Sequence, residues 1–419
     1  VTVLAVTAAL LTGACSGGDS DGAPDGAATG TSTSSSPPST SPPSTSTSTS
    51  ASPPSTSPPN TELIEAAWAG DVGRARTLIA RGADVNHKDS TVQSAYLIAT
   101  SEGYVDLLDL TLQHGADVRS LDSYNGTGLI RAAERGHARI VGRLLQTDID
   151  VDHVNRLGWT ALHEAIVLGS GAPRYVDTVR LLVAGGADVV LPPARDGIAP
   201  VDHAERRGQT EIVRTLRAVL AGRPPADPPS ALLAAAAAGD ADGVALALRA
   251  GADIEARDAN RRTALLLAAT NDHVAVARLL VALGADPDAV DDRRDTPWLV
   301  TGVTGSVAMG EVLLWGRPDL KLRNRFGGIS VIPASERGHV EYVRWVVQQG
   351  IDVDHVNDLG WTALLEAVVL GNGSARYQEI VRILLAAGAD RRIPDRNGVT
   401  ALEHARRAGH QELVAILGR

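Results

Sequence analysis

The apolar positions of this chain fall into short paired runs separated by polar turns. One run of each pair has helical spacing, as in Ile140, Val141, Leu144 and Leu145. The run before it opens on a small polar residue: Thr160-Ala161-Leu162, Thr263-Ala264-Leu265, Thr296-Pro297-Trp298, Thr362-Ala363-Leu364 and Thr400-Ala401-Leu402. Thr there predicts a helix N-cap, because its hydroxyl accepts from backbone N–H groups that have no partner inside the helix. Pro200 and Pro297 fall at the first helical position, which suits proline. Gly136, Gly338 and Gly409 close the first helix, since Gly takes the left-handed C-cap without strain. The second helix closes on Gly as well, and that closure sets the period. Gly82-Ala83-Asp84-Val85 returns as Gly115-Ala116-Asp117-Val118, and Gly251-Ala252-Asp253 as Gly284-Ala285-Asp286, each 33 residues on. Units this short bury a core only by stacking, so the pattern predicts an all-α solenoid of helix-turn-helix units with short turn or hairpin connections. Such a solenoid is first of all a binding surface.

The unit resembles the ankyrin repeat. Asn155-Arg156-Leu157-Gly158-Trp159-Thr160-Ala161-Leu162-His163-Glu164-Ala165 follows that family's turn and first helix, and Gly82-Ala83-Asp84-Val85-Asn86 its closing turn. The match recurs about eleven times over residues 61–419. Three departures stand out: Gly128 and Ser330 replace the usual Pro, and Arg317-Pro318-Asp319 replaces Gly-Ala-Asp. The resemblance implies protein binding and no cofactor.

A longer repetition lies over the short one. Ile149 to Asn155 returns as Ile351 to Asn357, an offset of 202 residues, and both copies carry an insertion between their helices that ends in Arg174-Tyr175 and Arg376-Tyr377. The chain therefore reads as 1–15, a signal segment; 16–60, a linker; 61–222, a first repeat block; 223–262, a Pro-rich junction with one extra repeat; and 263–419, a second block. The beat is only one residue short across the junction, which predicts one continuous stack.

Composition narrows the function. With 39 basic and 49 acidic residues the net charge is −10, against the basic footprint that nucleic acid requires. Residues 1–14 are apolar and small, like a signal-peptide core and too short to span a membrane. Leu11-Thr12-Gly13-Ala14-Cys15 resembles a bacterial lipobox, in which the Cys is diacylated. Two acyl chains anchor stably where one does not. The alternative is cleavage after Ala14 and release. Residues 16–60 are mostly Ser, Thr and Pro with some Gly and Asp, a composition that builds no core and reads as a disordered stalk. Cys15 is the only cysteine, so the chain forms no internal disulfide.

No catalytic or metal-ligating constellation emerges. His137, His339 and His410 follow helix-closing Gly, where the family places His, and His163 resembles the family's first-helix His. Asp152-His153 and Asp354-His355 occur in both blocks, inside the turn between units, with no nucleophile beside them. Gly169 and Gly171, like Gly371 and Gly373, lie between two helices and lack the strand that a phosphate loop needs. In ankyrin domains the turn tips and the exposed side of the first helix line a concave face. Register places Tyr124, Leu157 and Trp159 on the tips, and Trp68, Glu134, Arg135, Val167 and Leu168 on the helices. The second-block equivalents are Phe326, Leu359 and Trp361, with Glu336, Arg337, Val369 and Leu370. Arg174, Tyr175, Arg376 and Tyr377 extend the candidate partner-binding set. Exposed aromatics beside Arg mark interaction patches. The expected protein is a non-enzymatic, monomeric scaffold outside the cytoplasmic membrane, lipid-anchored or secreted, that binds a protein partner. A secreted effector engaging host proteins, a small-molecule binder and a plain spacer are the alternatives.

Overall fold

The computed structural model describes residues 59–191 and 197–419. The lipobox-like segment ending at Cys15 and nearly all of the Ser/Thr/Pro-rich stretch lie outside the described residues. Eleven pairs of α-helices fill the rest, from Pro59–Trp68 to Gln411–Leu417, with no strand among the described residues. The predicted caps form. Thr160, Thr263, Thr296, Thr362 and Thr400 each accept from the third N–H of the helix they open, and Thr127 does the same for its own helix. Gly136 and Gly338 close first helices at φ values of 69° and 78°. The Gly128 departure from the repeat pattern has a local cause. A Cβ at Gly128 would stand 2.6 Å from the Tyr96 hydroxyl, so the ring of the preceding repeat requires the missing side chain.

First helices stack on first helices through repeats one to five and again through repeats six to eleven. The expectation of one continuous stack fails between these runs. The first helix of repeat five (Pro200–Arg206) makes no comparable contact with that of repeat six (Pro228–Ala238). Pro224 and Pro225 lie in the connection here, and Pro228 and Pro229 open the next helix. The chain turns there, and the second helix of repeat six (Ala241–Arg249) lies against the second helix of repeat four (Pro173–Ala184). The second helix of repeat seven (Val274–Ala282) meets that of repeat three (Ala138–Leu144). The two stacks are thus joined back to back through their second helices.

Apolar surface on both sides of those helices explains the joint. Tyr175 to Val183 are buried without a break along Pro173–Ala184, as befits a helix covered on all sides. Polar links fix the register. Gln146 donates to the Ala282 carbonyl at 3.0 Å, and Arg278 pairs with Asp177 at 2.8 Å. The odd Arg317 of repeat eight sits at φ 56°, a conformation that suits glycine. Its guanidinium reaches Asp106 and Asp109 of repeat two at 3.0 and 3.1 Å. Arg139 lies over the Trp315 ring at 5.0 Å beside it.

Gly142 marks the closest approach, because a Cβ there would stand 2.4 Å from the Ala282 carbonyl oxygen. Alanine is the better helix former by about 1 kcal/mol, so Gly142→Ala would stabilise a free helix. In the joined molecule it is expected to lower stability by about 1–3 kcal/mol through overpacking. Urea unfolding checks the sign: a stabilised variant would mean that the second helices are not in contact.

Candidate functional site

Each turn is shaped by one side chain at its first position. In repeats three and nine, Asp122 and Asn324 accept from backbone N–H groups two and four residues on. These bonds lift the next side chains outward: Tyr124 is 60% and Phe326 52% exposed. Asn155 and Asn357 do the same for the turns that carry Leu157 with Trp159 and Leu359 with Trp361. An asparagine also brings an NH2 group that must be satisfied when buried. Glu164 accepts from Asn155 Nδ2 at 2.7 Å and Glu366 from Asn357 Nδ2 at 2.8 Å. Both carboxylates are buried, and Glu164 Oε2 has no hydrogen-bond partner among the described residues. Burial pushes the Glu164 carboxyl up to about 7, with the Asn155 bond opposing and Glu134 adding to the rise. Glu366 is pushed up to about 7 by burial and then by Glu336.

The structure sorts the candidate partner-binding residues into three groups. Trp68, Tyr124, Phe326, Leu359, Leu168 and Leu370 are exposed, as the register requires. Leu157, Trp159, Trp361, Val167 and Val369 are half-buried. Glu134 and Arg135 are both paired: Glu134 with Arg131 of its own helix at 2.7 Å, and Arg135 with Glu102 of the preceding repeat at 2.7 Å. The Arg-Tyr pairs differ from expectation: they stand in the first turns of the helices Pro173–Ala184 and Ala375–Ala386. Tyr175 is 6% exposed, so it is a packing residue and not a contact for a partner. Its ring fits because Gly169 has no Cβ; one there would stand 2.7 Å from it. Arg174 covers that ring at 5.0 Å. Tyr377 repeats the arrangement half-buried, its hydroxyl donating to the Glu336 carbonyl at 3.0 Å, while Arg376 is exposed.

One groove gathers several candidates. In repeats seven to nine a concavity of about 470 Å³ is lined by Phe326, Glu336 and Arg337 together with Arg262, Val303 and Arg325. Arg325 stacks on Phe326 at 4.6 Å and pairs with Asp295 at 3.3 Å. Arg337 is exposed, and no ion pair holds it among the described residues. Arg262, Val303 and Arg325 were not foreseen. Arg325 adjoins Phe326 in sequence, and that adjacency was the available signal. The groove offers an aromatic tip, aliphatic walls and both signs of charge, the mixture found at protein interfaces.

The duplicated Asp-His pairs are structural staples. His153 Nε2 donates to the Asn125 carbonyl and His355 Nε2 to that of Gly327, both at 2.7 Å. Asp152 and Asp354 accept from the backbone N–H of Asp188 and Asp390, both at 2.8 Å. Each pair therefore ties one turn to its neighbours on both sides. His137 and His339 also donate to a carbonyl of the preceding repeat. His163 Nδ1 completes a capping box with Thr160. No described helix is long and apolar enough to cross a membrane.

Comparison with known proteins agrees with the repeat geometry. The family described as ankyrin repeats (3 copies) matches residues 96–193, 201–291, 303–390 and 334–418, well over half of the chain. The chain belongs to the ankyrin-repeat family. It is similar to the ankyrin repeat protein YahD of Escherichia coli, 41% identical over 107 residues, which cover 25% of this chain and 53% of YahD. It is also similar to ankyrin repeat and SAM domain-containing protein 6 of Mus musculus, 35% identical over 85 residues, 20% of this chain and 9% of that protein. The chain thus spans about half of the first curated relative and a small part of the second. Among solved structures, an ankyrin repeat domain from Acinetobacter baumannii AYE is 44% identical, with a TM-score of 0.43, covering 44% of this chain and 95% of that one.

Proposed function

We propose that this protein is a non-enzymatic scaffold that binds a protein partner on the concave face of each stack, held outside the cytoplasmic membrane by acylation at Cys15. One observation carries the binding reading: Tyr124 and Phe326 stand exposed on equivalent turn tips of the two blocks. Aromatics are 3% of this chain, and Phe326 is its single Phe. Large aromatics left in water at matching positions serve contact better than stability. The exposed Leu168 and Leu370 add a second matched pair on the same face. The sequence of residues 11–15 supports the anchor, and the Ser/Thr/Pro linker supports a stalk. A free, secreted form is the competing localisation, separated from the anchored one by mass spectrometry of the mature N-terminus.

The test uses the full chain as bait against the membrane fraction of its source cell, beside the variant Tyr124→Ala/Phe326→Ala. Both positions are surface ones, so the variant is expected to fold as the wild type does. A partner held by the wild type should bind the variant at least tenfold more weakly, the loss of two hot-spot aromatics. Equal retention by both proteins would overturn the assignment of the binding face.

A further inference from the structure

The turn between repeats five and six leaves a cleft that the ordinary ankyrin stack would have filled. The helix Pro228–Ala238 buries only Leu232 and Ala236, although nearly all of its residues are apolar. Ala234, Ala237 and Ala238 are exposed. In an unbroken stack the helices of repeat five would cover this side. The chain has instead turned toward repeat four, and Thr210–Leu220 meets repeat six mainly through that repeat's second helix. A cavity of about 670 Å³ remains, walled by Ala218, Val219, Pro225, Ala234, Ala238 and Leu246. That volume is in the range of small-molecule sites, about 300–1,000 Å³.

Three charged residues line the cleft, and two of them are committed. Arg249 donates to the carbonyls of Val183 and Ala187 at 3.2 and 2.8 Å. Asp240 caps the next helix by accepting from the Gly243 N–H at 2.9 Å. Arg223, on the Pro-rich connection, is exposed and lines the cavity with no hydrogen bond or ion pair to another described residue. Apolar walls with one uncommitted guanidinium at the rim complement a ligand with an apolar body and a single negative head.

We propose that this cleft binds an apolar monocarboxylate, an acyl chain whose tail lies along the alanine wall and whose carboxylate pairs with Arg223. Neither the tail nor the head needs the concave faces, so the site is independent of the protein-binding surface. Affinity should rise about fourfold for each methylene added to the tail until the cleft is full.

Titration calorimetry of the full chain tests this with octanoate, decanoate and dodecanoate below their micellar concentrations. Dodecyltrimethylammonium is the control of opposite charge. The expected result is one dodecanoate per chain, tighter than the shorter acids. Arg223→Ala should weaken it about tenfold and Arg223→Lys much less. Ala234→Trp/Ala238→Trp fills the cleft from exposed positions and should abolish binding with the circular dichroism and melting curve unchanged. Equal binding of the cationic control, no saturable binding by the wild type, or binding that survives the filled cleft would each overturn the proposal. So would a wild-type dimer in sedimentation that the filled variant dissociates, because the occupant would then be a second copy of the chain.

Discussion

Replacing Glu164 and Glu366 together by glutamine is expected to stabilise the protein at pH 8 and leave it unchanged at pH 4. Each carboxyl rises from 4.5 to about 7 on folding, chiefly through burial. A raised carboxyl pKa means that the folded state holds its proton to higher pH than the unfolded chain. Stability is then full below the unfolded value of 4.5 and falls as pH rises toward the folded value near 7. Above that pH each charged, buried carboxylate costs about 2 kcal/mol, discounted for partial access to solvent. Glutamine keeps the Oε1 acceptor that Asn155 and Asn357 use and removes the charge. Urea unfolding at pH 4 and pH 8 separates the two proteins. A wild type with flat stability across that range, or a variant no more stable at pH 8, would show that these carboxylates are solvated.

These glutamates also show how far the sequence was legible. Helix pairs, caps and closing glycines follow from local chemistry, so Thr160, Gly136 and their equivalents were readable one unit at a time. The exposed tips Tyr124, Phe326 and Leu359 were readable because register on a regular repeat fixes which side chains face water. Tyr175 was not, because the insertion ahead of its helix departs from the repeat and lets its ring fold onto Gly169. The function of Glu164 was hidden for a related reason: it depends on Asn155 standing where other turns use Asp. The back-to-back joint was the largest gap. Its signals were present, in the nearly all-apolar run of Val274–Ala282 and in Arg317 at a glycine position. Reading them required knowing which distant helix would cover that second apolar side, and a 33-residue period carries no such information.

Asp242→Ala is expected to be the most damaging single change at the joint, lowering stability by about 3 kcal/mol. Asp242 sits where the chain turns back, 7% exposed. It pairs with Arg180 of repeat four at 2.7 Å and Arg214 of repeat five at 2.6 Å, and accepts from the Thr215 hydroxyl at 2.7 Å. Removing it leaves the buried Arg180 guanidinium with Asp177 and Glu211 only, at 3.8 and 3.7 Å. A buried charge left with only such distant partners costs more than the lost contact itself. Burial pushes the Asp242 carboxyl up, but the hydrogen bonds from Arg180, Thr215 and Arg214 outweigh it and hold it below the usual carboxylate range. A lowered pKa gives stability that is present above the unfolded value and lost as pH falls through the folded one. The wild type and Asp242→Ala should therefore differ most near neutral pH and converge in acid, below about pH 4. Asp242→Asn keeps the shape and one acceptor, and should lose less. The loss should also loosen the turn, so small-angle scattering of Asp242→Ala is expected to show a larger radius of gyration in mild urea, where the wild type stays compact. A variant as stable as the wild type at pH 7 would mean that apolar packing alone holds the two stacks together, with the arginines and carboxylates setting only their register.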